Sequence, residues 1–205
     1  MKFQSTRNVN GKVKPSEAIF SGIAPDGGLY VPEEFPVLSM EEIAAFAGRP
    51  YYENAARILG AFFTDFTEEE ILSCTKSAYL GRFENDIPAP LTMLGENCCL
   101  IELSHGPTCA FKDIALQLLP HLLTKAVEKC GGGKKSVILT ATSGDTGKAA
   151  LEGFCDVPGT EIFVFYPEDG VSSMQKLQMD SQKGENVHVR AVKGNFDDTQ
   201  TAVKR

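Results

Sequence analysis

From Phe111 onward, apolar residues fall at 111, 114, 115, 118, 119, 122, 123, 126 and 127. Steps of three and four residues put them on one face of a 3.6-residue helix, so the spacing predicts a long, well-buried helix. Pro120 interrupts this pattern and predicts a kink, because proline lacks an N–H and its ring crowds the preceding turn. Gly131-Gly132-Gly133-Lys134-Lys135 reads as a linker or tight connection. Beyond it the rhythm changes. Short apolar runs over Ser136–Thr140, Glu161–Tyr166 and Val187–Val192 alternate with helical patterns near Lys148–Phe154, near Ser172–Ser181 and from Phe196. That alternation predicts parallel βαβ units with right-handed crossovers, and therefore an α/β fold.

The N-terminal part is less regular. Residues 1–35 are rich in Gly and Pro and read as short strands and turns, with Ala24-Pro25-Asp26-Gly27-Gly28 as a turn before the strand-like Leu29-Tyr30-Val31. Two helix starts have capping-box spacing, Ser39 with Glu42 and Thr67 with Glu70. Behind the second, Ile71, Leu72, Thr75, Ala78 and Tyr79 mark one helical face. Cys98–Leu103 reads as a strand that leads into a motif containing Lys112. The expected division is an N-terminal region over 1–95, a strand and lysine helix over 96–135, and a parallel βαβ domain over 136–205.

Composition narrows the function classes. Apolar residues make up 42% of the 205-residue chain and charged residues 23%, enough for a normal core. A net charge of −7 argues against nucleic acid, which calls for a basic footprint. An anionic substrate must then be drawn by local groups rather than by the overall field. The six cysteines (74, 98, 99, 109, 130 and 155) form no C-x-x-C pair and no metal spacing with the three histidines, so no metal is expected. They read as reduced, mostly buried thiols. The N-terminus has no apolar leader, and no stretch is long enough to cross a bilayer, so we expect a soluble, cytoplasmic protein without membrane partners.

Two motifs carry candidate chemistry. In His105-Gly106-Pro107-Thr108-Cys109-Ala110-Phe111-Lys112-Asp113, a glycine-proline turn delivers Lys112 to the mouth of the predicted helix. The positive end of a helix dipole favours a neutral, nucleophilic amine there, suited to holding an aldehyde. Phe111 reads as core and Asp113 as a first-turn acid. His105 reads equally as an acid–base group or as a hydrogen-bonded turn residue. Thr108 reads most simply as a cap. In the second motif, a strand enters Ser143-Gly144-Asp145-Thr146-Gly147 and then a helix, an arrangement that presents N–H groups to an anion. Gly147-Lys148 does not make this a P-loop, because the upstream glycine spacing is wrong and Ala149 replaces the metal-binding hydroxyl. No G-x-G-x-x-G follows a strand, so a dinucleotide site is also disfavoured.

A reactive lysine followed by an anion-binding loop points to pyridoxal-phosphate chemistry on an amino acid. HGPTCAFKD, ATSGDTGKAA and the N-terminal Ser5-Thr6-Arg7, Ser16-Glu17-Ala18 and Gly22–Pro32 segments together resemble the threonine synthases of the longer, microbial type. The resemblance implies a fold type II pyridoxal-phosphate enzyme, similar to tryptophan synthase β, with a parallel βαβ small domain and part of a larger one. It implies that Lys112 bonds pyridoxal 5′-phosphate, with Thr108 and Phe111 beside it. It also implies that Ser143, Gly144, Asp145, Thr146 and Gly147 grip the substrate α-carboxylate. The implied reaction is O-phospho-L-homoserine plus water giving L-threonine plus phosphate. The alternatives are a related phospholyase, or a catalytically incomplete fragment acting only as a folded binding module. The implied partner is a small-molecule substrate, on a monomer or homodimer. Arg7 or Lys148 could hold the substrate phosphate. Asn195–Arg205 stops inside a helical pattern without a cap, which leads us to expect a truncated chain. The family's loop for the cofactor phosphate, and the hydroxyl facing the pyridine nitrogen, would lie further on.

Overall fold

A computed structural model describes residues 1–204. Along the chain run β1 (Phe3–Ser5), α1 (Pro15–Ser21), β2 (Tyr30–Pro32), α2 (Met40–Ala44), α3 (Tyr51–Phe62), α4 (Glu68–Tyr79) and a 3-10 turn at Glu84–Asp86. There follow β3 (Leu91–Gly95), β4 (Cys98–Ile101), α5 (Asp113–Leu116), α6 (Leu119–Cys130), β5 (Ser136–Ala141), α7 (Asp145–Phe154), β6 (Thr160–Pro167), α8 (Ser173–Asp180), β7 (Val187–Val192) and α9 (Phe196–Lys204). Contacts group them into two units, one of Met1–Leu80 with His121–Lys134 and one of Gly81–Pro120 with the residues from Lys135 onward. Of the three segments expected from sequence, 136–205 falls within the second unit, while 1–95 and 96–135 are each shared between the two.

In the first unit, β1 and β2 pair antiparallel, and α3 packs on α4. Both predicted capping boxes form: Ser39 Oγ accepts the Glu42 N–H and Thr67 Oγ1 accepts the Glu70 N–H, each at 3.2 Å. The glutamates reciprocate at 2.8 Å. Ile71, Cys74, Thr75, Ala78 and Tyr79 of α4 are buried, whereas Leu72 is exposed, so the predicted face holds with Cys74 in place of Leu72. Helix α1 lies in a stretch read as strands and turns. Pro15 stands at its first position, and its start is held by a distant residue: Asp65 accepts the Ser16 hydroxyl at 2.5 Å and the Ser16 N–H at 3.3 Å. Lys129 of α6 pairs with Glu70 at 2.8 Å and lies over the Phe66 ring.

The second unit carries a parallel sheet in the order β5-β6-β7. Its strands and helices match the expected alternation closely, as short apolar runs between helical stretches require. Ile162, Val164 and Tyr166 alternate along β6 as buried positions, and α7 packs against that strand. Leu151 and Phe154 of α7 and Met179 of α8 are also fully enclosed. Helix α9 lies over β5 and β6. The predicted strand at Cys98–Leu103 is β4, shortened to Cys98–Ile101 and paired antiparallel with β3 in a hairpin whose residues are all exposed.

The long helix expected from Phe111 is broken. It divides into the single turn α5 and then α6, with Gln117 and Leu118 between them. Pro120, the second residue of α6, removes a donor from the ladder and disfavours helical backbone just before it. The interruption is therefore a break ahead of the proline rather than a kink at it. Among the described residues no helix is long and apolar enough to cross a membrane.

Candidate active site

The loop before α5 is built around Asp113, a side chain with no exposed surface. Its Oδ2 accepts the Thr108 N–H at 2.8 Å and its Oδ1 accepts the Thr108 hydroxyl at 2.6 Å. Thr108 is therefore tied back to Asp113 instead of capping the helix start, which has no side-chain cap. Asp113 is the first-turn acid expected, and it is also buried as an internal brace. Gly106 lies so close to this brace that a Cβ there would meet the Asp113 Cβ at 2.7 Å and the Phe83 ring at 2.9 Å. At the tip, Cys109 takes φ +58, a left-handed conformation that costs a residue with a Cβ.

Lys112 is the residue immediately before α5. The dipole behind it is that of one turn, not of the long helix expected. Its Nζ lies 4.3 Å from the centre of the Phe111 ring. Phe111 is 62% exposed, so its assignment to the core is corrected: the broken helix carries it outward beside the amine. Among the described residues Lys112 has no carboxylate within ion-pair distance. His105 stands at the other end of the loop between two acids, with Nδ1 2.6 Å from Glu84 Oε2 and Nε2 2.8 Å from Glu102 Oε2. Glu102 also accepts the Thr92 hydroxyl.

The second loop joins β5 to α7 and is organised by Thr142, a residue that sequence reasoning passed over. The Thr142 hydroxyl is buried and accepts the Gly144 N–H at 3.1 Å and the Gly147 N–H at 2.9 Å, while donating to the Gly144 carbonyl. Two of the loop's donors are thus spent internally. The N–H groups of Asp145 and Thr146 belong to the first turn of α7 and have no carbonyl four residues back within the helix. With the exposed hydroxyls of Ser143 and Thr146, they form a donor set for an anion at a helix N-terminus. Gly144 takes φ +152 and faces the Gln175 side chain where a Cβ would be. Gln175 donates its amide to Asp145 Oδ1 at 3.0 Å. Asp145 is thereby tied to α8 through a side-chain amide.

Both loops belong to the second unit, and their helices touch. Helix α5 packs on α7, and Gly153 lies directly against the Leu116 carbonyl, leaving no space for a side chain. The two residues considered for a substrate phosphate are engaged elsewhere: Arg7 donates to the Asp26 carbonyl at 3.1 Å, and Lys148 binds Gln182 and Glu152. No group of three His, Cys, Asp or Glu among the described residues could hold a metal ion. What remains is a lysine amine without an acidic partner among the described residues, on a braced loop whose helix packs against α7, the helix that begins with the donor-rich turn. That donor chemistry fits a carbonyl-bearing cofactor at Lys112 and an anionic group at the second loop.

Residues 2–79 match the family described as threonine synthase N terminus. A threonine synthase of Pseudomonas aeruginosa is 42% identical over 205 residues, covering all of this chain and 43% of the relative. The crystal structure of pyridoxal-phosphate-bound threonine synthase from Brucella melitensis superposes with a TM-score of 0.91 at 40% identity, over all of this chain and 44% of that one. The yeast threonine synthase structure gives a TM-score of 0.89 at 31% identity. The chain thus spans less than half the length of these relatives. Residues 2–79 carry the threonine synthase N-terminal family domain, and the chain is similar along its whole length, in sequence and in fold, to a portion of threonine synthases.

Proposed function

We propose that the chain carries the cofactor lysine and the substrate-carboxylate loop of a fold type II, pyridoxal-phosphate-dependent threonine synthase. The reaction would be O-phospho-L-homoserine plus water giving L-threonine plus phosphate. The observation that carries this reading is the Lys112 amine, without a carboxylate partner among the described residues, on a braced loop whose helix α5 packs against α7, the helix that follows the donor-rich loop. Lys112 would hold pyridoxal phosphate, with Thr108 and Phe111 bordering it. The cofactor supplies the sink for charge that develops at the substrate Cα. The Lys112 amine would take the proton from Cα and move protons at the neighbouring carbon, so that phosphate would depart from Cγ and water would add at Cβ. Ser143, Gly144, Asp145, Thr146 and Gly147 would orient the α-carboxylate, with N–H groups and hydroxyls acting directly and the glycines allowing close approach. The six cysteines, all unpaired, suit a reducing cytoplasm.

The test is to add pyridoxal phosphate, reduce with borohydride and map the labelled peptide. Labelling confined to Lys112, and lost in Lys112→Ala, is the expected result. Label scattered over surface lysines would reject the assignment. The same mapping, with phosphate release from O-phosphohomoserine, applies to the chain joined to the unmatched remainder of the Pseudomonas relative. There, turnover that survives Lys112→Ala would reject the catalytic role.

A further inference from the structure

His105 is the remaining part of the lysine motif to which the proposed reaction gives no task. Each of its ring nitrogens faces a carboxylate oxygen, at 2.6 Å and 2.8 Å. A carboxylate only accepts, so both nitrogens must donate, and an imidazole with two N–H groups is the cation. The neutral ring would point one lone pair at an anion. The geometry is therefore that of imidazolium, whatever its chemical role.

The two acids come from different elements. Glu84 belongs to the 3-10 turn, and Glu102 follows β4, where it is tied to Thr92 on β3. The Glu84 N–H also donates to the His105 carbonyl at 3.1 Å. Residue 105 is thereby fastened by ring and backbone at the point where the chain enters the lysine loop. Asp113 fastens the far end through Thr108. Lys112 lies between these two anchors, and everything in this arrangement belongs to one unit.

We propose that His105 is a positioning residue of the lysine loop: as an imidazolium donating to both Glu84 and Glu102, it clips the entry of 105–113 to the turn and to the hairpin. The inference goes beyond the proposed reaction and needs no bound cofactor. Deprotonation leaves one N–H for two carboxylates, so one attachment is released and the entry of the loop loosens. Glu84 and Glu102 are the charged groups that face the ring, and both favour its protonated form, the Glu84 bond most. The His105 titration is accordingly raised above the ordinary 6.5. Asp113 is occupied with Thr108 and adds no competing contact to the ring.

The experiment is imidazole nitrogen NMR on the whole 205-residue chain across pH, with His105 assigned through His105→Gln. The expected result is a midpoint above 6.5, lowered in Glu84→Gln and again in Glu102→Gln. Glu84 is on an open surface turn, so its amide variant tests the clip without threatening the fold. In parallel, amide exchange over 108–112, corrected for intrinsic rates, should lose protection as His105 deprotonates and show no such step in His105→Gln. A midpoint at or below 6.5, or one unmoved by both glutamine variants, overturns the clip. Protection that stays flat through the titration overturns the positioning role. Neither outcome bears on whether Lys112 binds pyridoxal phosphate, which the borohydride mapping decides separately.

Discussion

Asp113 is buried with both oxygens engaged, one on the Thr108 N–H and one on its hydroxyl. Removing it strands an N–H inside the loop, and a buried donor left unmade costs about 1–3 kcal/mol. Asp113→Ala should lower stability by that amount in urea unfolding. Paired with Thr108→Val, it should show clear non-additivity, because the two changes remove the same hydroxyl bond. Additive losses would mean that the brace is not an interaction between these residues. At this scale the sequence names the reactive group but not its supports. Lys112 and the Ser143–Gly147 loop are visible because turn chemistry and a helix start are written in adjacent residues. Asp113's burial, the Thr142 hydroxyl, and the placing of Glu84 and Glu102 about His105 depend on how the chain returns on itself.

Between elements, α5 packs on α7 where Leu116 meets Gly153, at the C-terminal end of each helix. Gly153 permits that approach by leaving the Leu116 carbonyl no neighbouring side chain. Gly153→Ala must displace backbone rather than a flexible side-chain tip, and overpacking of this kind costs about 1–3 kcal/mol. The expected result is a lower thermal midpoint together with faster amide exchange over 108–112; an unchanged loop would show that the helices do not couple the two motifs. Legibility follows the same logic here. The capping boxes at Ser39 and Thr67 and the three parallel strands are local patterns, and they fold as read. Helix α1 is held by Asp65, which lies 49 residues from Ser16, and no window along the chain contains that pairing. Strand β3 escaped because its exposed, mixed sequence shows neither a buried run nor a clean alternation. The break before α6 escaped because the apolar spacing continues through it.

Over the whole molecule, several carboxylates are held below their ordinary range. The Ser5 hydroxyl and the Gly28 N–H do this to Asp26, Thr92 and His105 to Glu102, and Lys135 and His188 to Glu161. A group depressed in the folded state contributes stability above its unfolded value, about 4, and loses it as pH falls through the lower folded value. The urea midpoint should therefore decline between about pH 5 and pH 3. A flat profile there would show that these bonds do not differ between folded and unfolded chains. His105 acts in the opposite sense: its contribution is present below 6.5 and fades as pH rises through its raised folded value. The discontinuous first unit has a further consequence, for the order of events in biosynthesis. The family domain ends at residue 79, yet its unit also requires 121–134, where Lys129 meets Glu70 and Gly131 lies against the Phe20 ring. At about 5–20 residues per second, a ribosome that has made Leu80 works for roughly 3–10 s more before Lys134 exists. During that interval the N-terminal segment emerges without the piece that closes it, and a nascent chain paused there would offer chaperones an unfinished surface.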